Sequence, residues 1–562
     1  MSSSVEFSAK RLLIGGRPTL VLAGEVHYFR LDRDQWADRI GKLADSGCTA
    51  VASYIPWLFH ELPDGTLDVS GTTLPERDVG AFIDLCAERG LHFIARPGPF
   101  VMAELKNEGL PFRLYDEHPE ISPITWDARP VSSRTVDYLA PAFLDEVRRW
   151  YGAIMPVLAD RLLPRGGNVI AVQLDNEVGM LSWVTNEPDL TDLVLGDFTA
   201  WLARRYDEST IATRYPRGLS NAAVRSPGDD YAPALHYDLG YYMRDRFRRY
   251  LAVLRDYAQE GGVGGVPYIV NIHGTSDGHA WTFPIGISQL SESYSGIPGF
   301  VSGTDIYLGD LTLGNVADLY LVNAFTDAVN NADQPLTSME FEAGNANYGD
   351  DLTTSVDPAA SELKTRLCLA QGNRLLNYYL FAGGINRRLD APVGDGNDRI
   401  GFTGERHGFA APIGPEGQLT PAYHRTAHGL ASVRAVADRL ADMREERDDL
   451  AVGLVLDHYL TEYCHPASAT RKRINADLEV NRGGGPRQVL ARALVLGGYR
   501  FGAIDLHRQQ PDVGNALALA PTRHLDPLLQ RRLVDYLHSG GRMLLYGPLP
   551  THDMLGAPCT IL

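Results

Sequence analysis

The sequence predicts an α/β protein in which a (β/α)8 TIM barrel is followed by a smaller, flavodoxin-like α/β domain. Three observations lead to this prediction. Eight short apolar segments precede residue 385, amphipathic helical segments separate them, and a second alternation of strands and helices follows a break rich in Gly, Pro and Asp. Such alternation is typical of parallel sheets, because each helix covers the apolar face of the strands beside it.

The predicted barrel strands are short and rich in β-branched and aromatic residues, and they cover residues 19–28, 48–55, 91–98, 168–175, 267–274, 299–307, 335–342 and 374–382. The segments between them place apolar residues at positions i, i+3, i+4 and i+7, as the buried face of a helix requires. Gly47 and Gly90 stand where two of these helices are expected to end. In such a barrel the catalytic groups lie at the C-terminal ends of the strands.

A break in the pattern predicts the domain boundary. Residues 383–420 are rich in Gly, Pro and Asp and predict a long loop on the catalytic face, and a helix over 421–444 is expected to close the barrel. We therefore assign residues 1–444 to the barrel and residues 445–562 to the second domain. The second domain lacks a GxGxxG loop, so no cofactor is expected, and it stops soon after a strand, as a truncated domain would.

Composition limits the classes of function. The chain has 562 residues and a net charge of -18, which argues against a nucleic-acid partner. The N-terminus lacks the pattern of a signal peptide, and no apolar stretch approaches the roughly 18 residues of a membrane span. The five cysteines are scattered without a CxxC pair, so neither a metal site nor a disulfide framework is indicated. We expect a cytoplasmic protein, although a secreted chain trimmed of its signal would look the same.

Carboxylates follow two of the predicted strands. Asn176 and Glu177 come directly after the fourth strand, and Glu340 and Glu342 end the seventh, where both would share one face of an ideal strand. Retaining hydrolysis of a glycosidic bond needs two carboxyl groups about 5 to 5.5 Å apart. The alternatives are that the first pair caps the next helix and that the second pair is a solvated strand end.

Several motifs carry a resemblance to a known family. They are GEVHYFR (24–30), SYIPWLFHE (53–61), RPGPFVMAE (96–104), QLDNEVG (173–179), MEFEAG (339–344), LFAGGIN (380–386) and GFAAPIGPEGQLTPAY (408–423). In this order they resemble the motifs of glycoside hydrolase family 35, the β-galactosidase family, over roughly residues 10 to 425. Several long motifs in register are far more specific than any one of them.

The resemblance implies a retaining exo-glycosidase that releases a terminal, non-reducing β-D-galactosyl residue from an oligosaccharide or glycoside. It implies Glu177 as the acid/base and Glu340 as the nucleophile. It also implies that Asn176 hydrogen-bonds the sugar 2-hydroxyl, that Tyr54 and Glu104 hold other sugar hydroxyls, and that Ala103 contributes only backbone groups.

Other residues at strand ends are candidates by position. Tyr307, near the end of the sixth strand, is either a hydrogen-bond donor to the nucleophile or a core aromatic residue. Only one of the neighbours Tyr378 and Tyr379 can face the barrel interior, and Tyr379 is the candidate for sugar contact. Arg96 follows the third strand and is expected to order carboxylates by bidentate pairing.

The sequence departs from the family pattern at two positions. Glu342 stands where the family has a tyrosine two residues after the nucleophile, and Phe409 replaces another family tyrosine. Both departures lie near the sugar site, so Glu342 is a candidate substrate contact. Another retaining β-glycosidase, such as an exo-β-glucosaminidase or an α-L-arabinopyranosidase, is the first alternative. A non-catalytic carbohydrate-binding barrel is a more distant one.

Two segments resemble family 42 β-galactosidases instead. MEFEAGNANYG is similar to that family's nucleophile region, and FTAWLARRY (198–206) is similar to another of its segments. The second domain resembles the glutamine-amidotransferase-like domain of family 42, which takes part in oligomers there. We therefore expect a divergent family 35 member that could form a homo-oligomer and that needs no metal.

Overall fold

A computed structural model describes residues 4–274, 279–343, 357–389 and 399–562. Its central feature is a closed barrel of eight parallel strands, which run in the order β7-β8-β1-β2-β3-β4-β5-β6. The strands are β1 (Val21–Val26), β2 (Ala50–Tyr54), β3 (His92–Arg96), β4 (Val169–Gln173), β5 (Tyr268–Ile272), β6 (Phe300–Ile306), β7 (Leu336–Glu342) and β8 (Asn373–Ala382). The predicted barrel is confirmed, and each strand lies within its predicted segment or begins one residue before it.

Helices surround the barrel, which buries both faces of its strands, as all-parallel sheets require. All six residues of β1 are buried. Within β1, Gly24 has no room for a side chain, because a Cβ atom there would lie 2.7 Å from Leu43 Cδ1 and 2.9 Å from Phe381 Cγ. The helix that carries Leu43 and strand β8 can approach β1 this closely only because the residue is glycine.

The α-helices of the barrel and its loops are α1 (Trp36–Asp45), α2 (Trp57–His60), α3 (Val79–Glu88), α4 (Arg113–Glu117), α5 (Pro141–Ala159), α6 (Met180–Val184), α7 (Asp192–Arg205), α8 (Glu208–Arg214), α9 (Asn221–Arg225), α10 (Ala232–Glu260), α11 (Phe283–Tyr294), α12 (Val316–Val329), α13 (Pro358–Ala370), α14 (Pro421–Arg434) and α15 (Ala437–Asp442). The helix predicted over 421–444 is therefore two helices, α14 and α15, separated by Ala435 and Val436. Of the predicted loop 383–420, residues 390–398 lie outside the described part. The rest contains a two-stranded ladder, Gly384–Ile385 with Arg406–His407.

A small antiparallel sheet precedes the barrel and was not predicted. Its strands are Val5–Ser8, Arg11–Ile14 and Arg17–Pro18. The turn between the first two strands is fixed to the loop before β7, because the backbone N–H of Lys10 donates to the carbonyl of Asp333 at 2.9 Å. This contact lies at the N-terminal end of the barrel, opposite the end where catalytic groups are expected.

The second domain contains a parallel sheet of four strands in the order β10-β9-β11-β12. These strands are β9 (Leu450–Leu454), β10 (Gly502–Asp505), β11 (Ala516–Leu519) and β12 (Arg542–Leu545), and the helices are α16 (Ala469–Arg482), α17 (Pro486–Leu496) and α18 (Pro527–His538). The α/β character of this domain agrees with the prediction. Neither strand β10 nor helix α16 was predicted from the sequence.

The two domains are joined by buried polar contacts. Arg244 of α10 forms an ion pair with Glu462 of the second domain at 2.6 Å, and both side chains are buried. The side-chain amide of Asn186, in the loop after α6, accepts a hydrogen bond from the N–H of Cys464 at 2.8 Å and donates one to its carbonyl at 2.7 Å. The segment after β9 is therefore fixed to the barrel on the side that follows β4.

All five cysteines are free thiols. Over the described ranges, no helix combines the length and the apolar character that a membrane span requires.

Replacing Glu462 by alanine is expected to destabilise the whole chain. The guanidinium of Arg244 would stay buried without its partner, which typically costs about 3 to 5 kcal/mol. Urea unfolding should show this loss. The matched control is Glu446→Ala, which removes the partner of an exposed pair with Arg500 and should change stability little. Equal unfolding midpoints for the two variants would contradict the expectation.

Candidate active site

Glu340 lies in β7 and is hydrogen-bonded at both carboxylate oxygens. Oε1 accepts from the Tyr54 hydroxyl and from Arg96 Nη2 at 2.5 Å. Oε2 accepts from the Tyr307 hydroxyl at 2.6 Å. A carboxylate that accepts from a guanidinium and two hydroxyls is stabilised in its charged form. Of the two alternatives for Tyr307, the structure therefore favours the hydrogen bond to Glu340.

Arg96, at the end of β3, connects three strand ends. Besides Glu340, its guanidinium donates to Glu25 Oε2 and to Asn176 Oδ1, each at 3.1 Å. Burial alone would lower its pKa, but the nearby Tyr54, Glu25 and Glu340 raise the pKa of Arg96 well above its ordinary value. Arg96 orders carboxylates, as expected, but it does not grip either of them in a bidentate pair. It bonds to one oxygen of Glu25 from β1 and to one oxygen of Glu340 from β7.

Glu177 follows β4 on a loop with unusual backbone angles. Asp175 and Glu177 both have left-handed backbones, with φ of 63° and 49°. The N–H of Glu177 donates to Asn271 Oδ1 at 3.1 Å. Burial and, next, the charge of Glu340 raise the pKa of Glu177 well above its usual range. Both effects favour the protonated form of Glu177, whereas Glu340 is the acceptor of one guanidinium and two hydroxyl donors.

The capping alternative for this loop is wrong. Helix α6 begins at Met180, and no side chain caps its N-terminus. Asp175 instead accepts hydrogen bonds from the N–H groups of Phe100 and Asn176, at 3.0 and 2.8 Å, and so ties the loop after β3 to the loop after β4. The solvated alternative for β7 also fails, because Glu340 and Glu342 are both buried.

Glu342 has a different set of partners from Glu340. Its Oε2 accepts from Lys364 Nζ at 2.8 Å and from the N–H groups of Gly309 and Leu308 at 2.6 and 3.2 Å. The pairing of β7 with both neighbouring strands is irregular before this point, so the ideal alternation assumed for the strand does not hold. Glu342 is thus paired with Lys364 of α13, and its candidate role as a substrate contact stays a prediction. The loop residues 344–350 lie outside the described residues.

The tyrosines of β8 face opposite ways, as expected. The ring of Tyr379 lies 6.4 Å from Tyr54 and 6.2 Å from Tyr307, between the two hydroxyls that bind Glu340. Tyr378 lies on the other side, with its hydroxyl 2.8 Å from that of Thr365 in α13. Tyr379 is therefore the residue that reaches the candidate site.

The loop after β3 brings Ala103 and Glu104 to the same end of the barrel. Met102, Ala103 and Glu104 are all left-handed, with φ of 53°, 53° and 56°. Ala103 was expected to offer only backbone groups to the sugar. Its carbonyl already accepts a hydrogen bond from Arg30, so part of that hydrogen-bonding capacity is used inside the protein. Burial raises the pKa of Glu104 to about 7. Three successive residues in this conformation are strained and hold the loop in one shape.

The amide of Asn176 has a defined orientation. Its Oδ1 accepts from Arg96 Nη2 and from Gln173 Nε2, at 3.1 and 2.8 Å. A guanidinium can only donate, so the oxygen must face Arg96 and the NH2 group is the side left for a ligand. Asn176 thus offers a donor rather than an acceptor.

Sequence reasoning missed a third carboxyl group. Asp305, in β6, is buried, and oxygens of Glu177, Asp305 and Glu340 lie within 4.8 Å of one another. An acid at the C-terminal end of the buried segment GFVSGTDIY was the available signal. Asn271 of β5 was also missed, although it donates to Asp305 Oδ1 at 2.6 Å.

Comparisons with known proteins find relatives for both parts of the chain. Residues 11–213 match the family model described as glycosyl hydrolases family 35, and residues 469–562 match the model described as GLMA-like, second domain. A β-1,2-glucosyltransferase from Ignavibacterium album is 26% identical over 99% of this chain and 78% of that protein. An exo-β-D-glucosaminidase from Thermococcus kodakarensis is 28% identical over 98% of this chain and 68% of that protein.

A solved structure supports the fold. Gan42B, a GH42 β-galactosidase from G. stearothermophilus, superposes with a TM-score of 0.66 at 12% identity, over 99% of this chain and 75% of that chain. At this identity the likeness concerns the fold alone, and it extends through both domains. The chain is a glycosidase whose residues 11–213 are similar to glycosyl hydrolases of family 35 and whose residues 469–562 are similar to the second domain of GLMA-like proteins.

Proposed function

We propose that the protein is a retaining exo-β-glycosidase that releases a terminal, non-reducing β-D-galactosyl residue. The observation that carries the proposal is the pair Glu177 and Glu340, whose carboxylate oxygens lie within 4.8 Å of each other at the ends of β4 and β7. Burial and the charge of Glu340 favour a proton on Glu177, and a guanidinium and two hydroxyls donate to Glu340. A close pair of carboxyl groups in opposite protonation states is what double displacement requires.

The first step joins the sugar to Glu340. Glu340 Oε attacks the anomeric carbon, the glycosidic C–O bond breaks, and Glu177 gives its proton to the departing oxygen. The hydrogen bonds from Tyr54, Tyr307 and Arg96 hold the attacking carboxylate in one orientation. Fixing the reacting atoms in this way lowers the entropic part of the barrier.

The second step uses the same pair in reverse. Once Glu340 is an ester, its charge no longer raises the pKa of Glu177, so the Glu177 carboxylate formed in the first step is a stable base. Glu177 then takes a proton from water, the water oxygen attacks the anomeric carbon, and the ester bond breaks. Two inversions at one carbon leave the anomeric configuration unchanged.

The choice of sugar rests on Asn176 as well as on the family motifs. With its oxygen turned to Arg96, Asn176 can donate a hydrogen bond to the substituent at sugar C2. A hydroxyl can accept that bond, whereas a protonated amine has no acceptor. This favours a galactoside over the glucosaminide on which the Thermococcus kodakarensis relative acts, although that activity remains the second candidate because of the relative's overall similarity.

Exchange of either carboxylate for an amide tests the reaction. Glu340→Gln should lower kcat/KM for 4-nitrophenyl β-D-galactoside by about 10³-fold or more, because the nucleophile is lost. Glu177→Gln should cost about 10²- to 10⁴-fold, and added azide should restore turnover and yield the β-galactosyl azide. Glu208→Gln on exposed α8 is the control. Cleavage of no β-glycoside by the wild type, or full activity of Glu340→Gln, contradicts the proposal.

Removal of one hydroxyl tests the support of Glu340. Tyr307→Phe should lower kcat for the galactoside roughly 10- to 100-fold, the usual effect of one hydrogen bond to a charged group. Tyr378→Phe is a matched control on β8, because its hydroxyl faces α13. Equal kcat values for the two variants would mean that the Tyr307 bond does not assist the reaction.

Asn176→Asp tests the recognition of the C2 substituent. The change replaces a donor by a carboxylate, so the ratio of kcat/KM for 4-nitrophenyl β-D-galactoside over the β-D-glucosaminide should fall at least 10-fold. The wild-type ratio should exceed one. A wild type that prefers the glucosaminide would instead support the second candidate.

A further inference from the structure

Asp305 is the acidic group of the site that the two-carboxylate mechanism leaves unused. It lies one residue before the end of β6 and pairs in register with Glu340 of β7. Its side chain is buried, with 2% of the residue exposed. Its carboxylate lies within 4.8 Å of an oxygen of both Glu177 and Glu340.

Hydrogen bonds connect Asp305 to the loop that carries Glu177. Asp305 Oδ1 accepts from Asn271 Nδ2 at 2.6 Å, and Asn271 Oδ1 accepts from the N–H of Glu177 at 3.1 Å. The other oxygen, Oδ2, is buried and has no hydrogen-bond partner within the part of the chain that the structure describes. Burying a charged carboxylate oxygen without a hydrogen-bond partner costs free energy. The cost is much smaller for a neutral carboxylic acid, because its O–H can turn toward an acceptor.

The surroundings of Asp305 disfavour a charge on it. The charged and titratable groups that face it are Glu340 from β7, Glu177 from the loop after β4, and Arg96 from β3, while Asn271 of β5 is neutral. Arg96 is already bonded to Glu25 and Glu340. Burial, and after it the charges of Glu340 and Glu177, raise the pKa of Asp305 well above its usual range.

We propose that Asp305 is a positioning residue that works as a neutral carboxylic acid and donates its proton, in a hydrogen bond, to whichever catalytic carboxylate is charged. This inference rests on the proposed function. In the free enzyme the acceptor is Glu340, and in the glycosyl-enzyme it is Glu177. The proton stays on Asp305 Oδ2 in both states, so no covalent bond forms or breaks.

The geometry suits this alternation. One negative charge is present among the three carboxyl groups before the first step and after it, and it moves from Glu340 to Glu177. Asp305 neighbours both positions, so the same donor can serve both states. The separation of up to 4.8 Å is bridged by a rotation of the glutamate side chain or by one water molecule.

The slope of the pH profile tests the inference. If Glu177 and Asp305 must both be protonated, log kcat/KM of the wild type falls at alkaline pH with a slope of about two per pH unit. Asp305→Asn keeps a donor in place of the O–H and removes one titrating group. It should retain kcat/KM within roughly 10-fold at the optimum and fall with a slope of about one. Asp305→Ala removes the donor and should lose roughly 10- to 100-fold.

Controls separate this inference from the proposed function. Asp256→Asn, on the exposed surface of α10, should keep the wild-type slope. A wild type with a slope of one, or an asparagine variant as impaired as the alanine variant, would each overturn the role of Asp305. In both cases the wild type still cleaves the galactoside through Glu340, whereas failure of the proposed function would abolish cleavage or its dependence on Glu340.

Discussion

The site depends on a buried pair of ionic contacts, in which the guanidinium of Arg96 lies between the carboxylates of Glu25 and Glu340. Removing these charges from water is costly, and only their mutual attraction and their further hydrogen bonds offset that cost. Burial and, next, the charge of Glu340, the carboxylate that Arg96 pairs with, raise the pKa of Glu177 and of Asp305. The same guanidinium orients the amide of Asn176. A single cation therefore pairs with the proposed nucleophile and fixes the face of the Asn176 amide that is left for a ligand.

The barrel and its two catalytic candidates could be predicted because their signals are local. Each strand is a short apolar run, and Glu177 and Glu340 each lie within a motif that can be read without knowledge of the rest of the chain. Glu342 could not be placed in this way, because its side chain is governed by Lys364 on a helix 22 residues later and by an irregular strand register. Asp305 was missed for a similar reason. The residues that make it a candidate are Glu177 from the loop after β4, Asn271 from β5 and Glu340 from β7.

The second domain shows the same limit. Strand β10 has four residues, GAID, and only its pairing with β9 over its whole length identifies it as a strand. Helix α16 is polar along most of its length, and its few buried apolar residues, Ile474 and Leu478, pack with Met554 from the far end of the domain. Elements whose stability comes from distant partners leave a weak pattern in the sequence. The general α/β alternation was visible because α17 and α18 carry ordinary amphipathic patterns and the other three strands lie in short apolar runs.

The joint between the domains limits how this enzyme can be divided. The loop that follows Glu177 is held by Asn186 against Cys464, and α10 is held by the ion pair of Arg244 with Glu462. Cutting the chain near residue 444 would leave the buried cation of Arg244 without its anion and would release the segment that follows Glu177. The barrel and the second domain are therefore expected to be inherited together. Recombination at the boundary between them would break the contacts that hold the loop after Glu177, although Glu177 itself lies in the barrel.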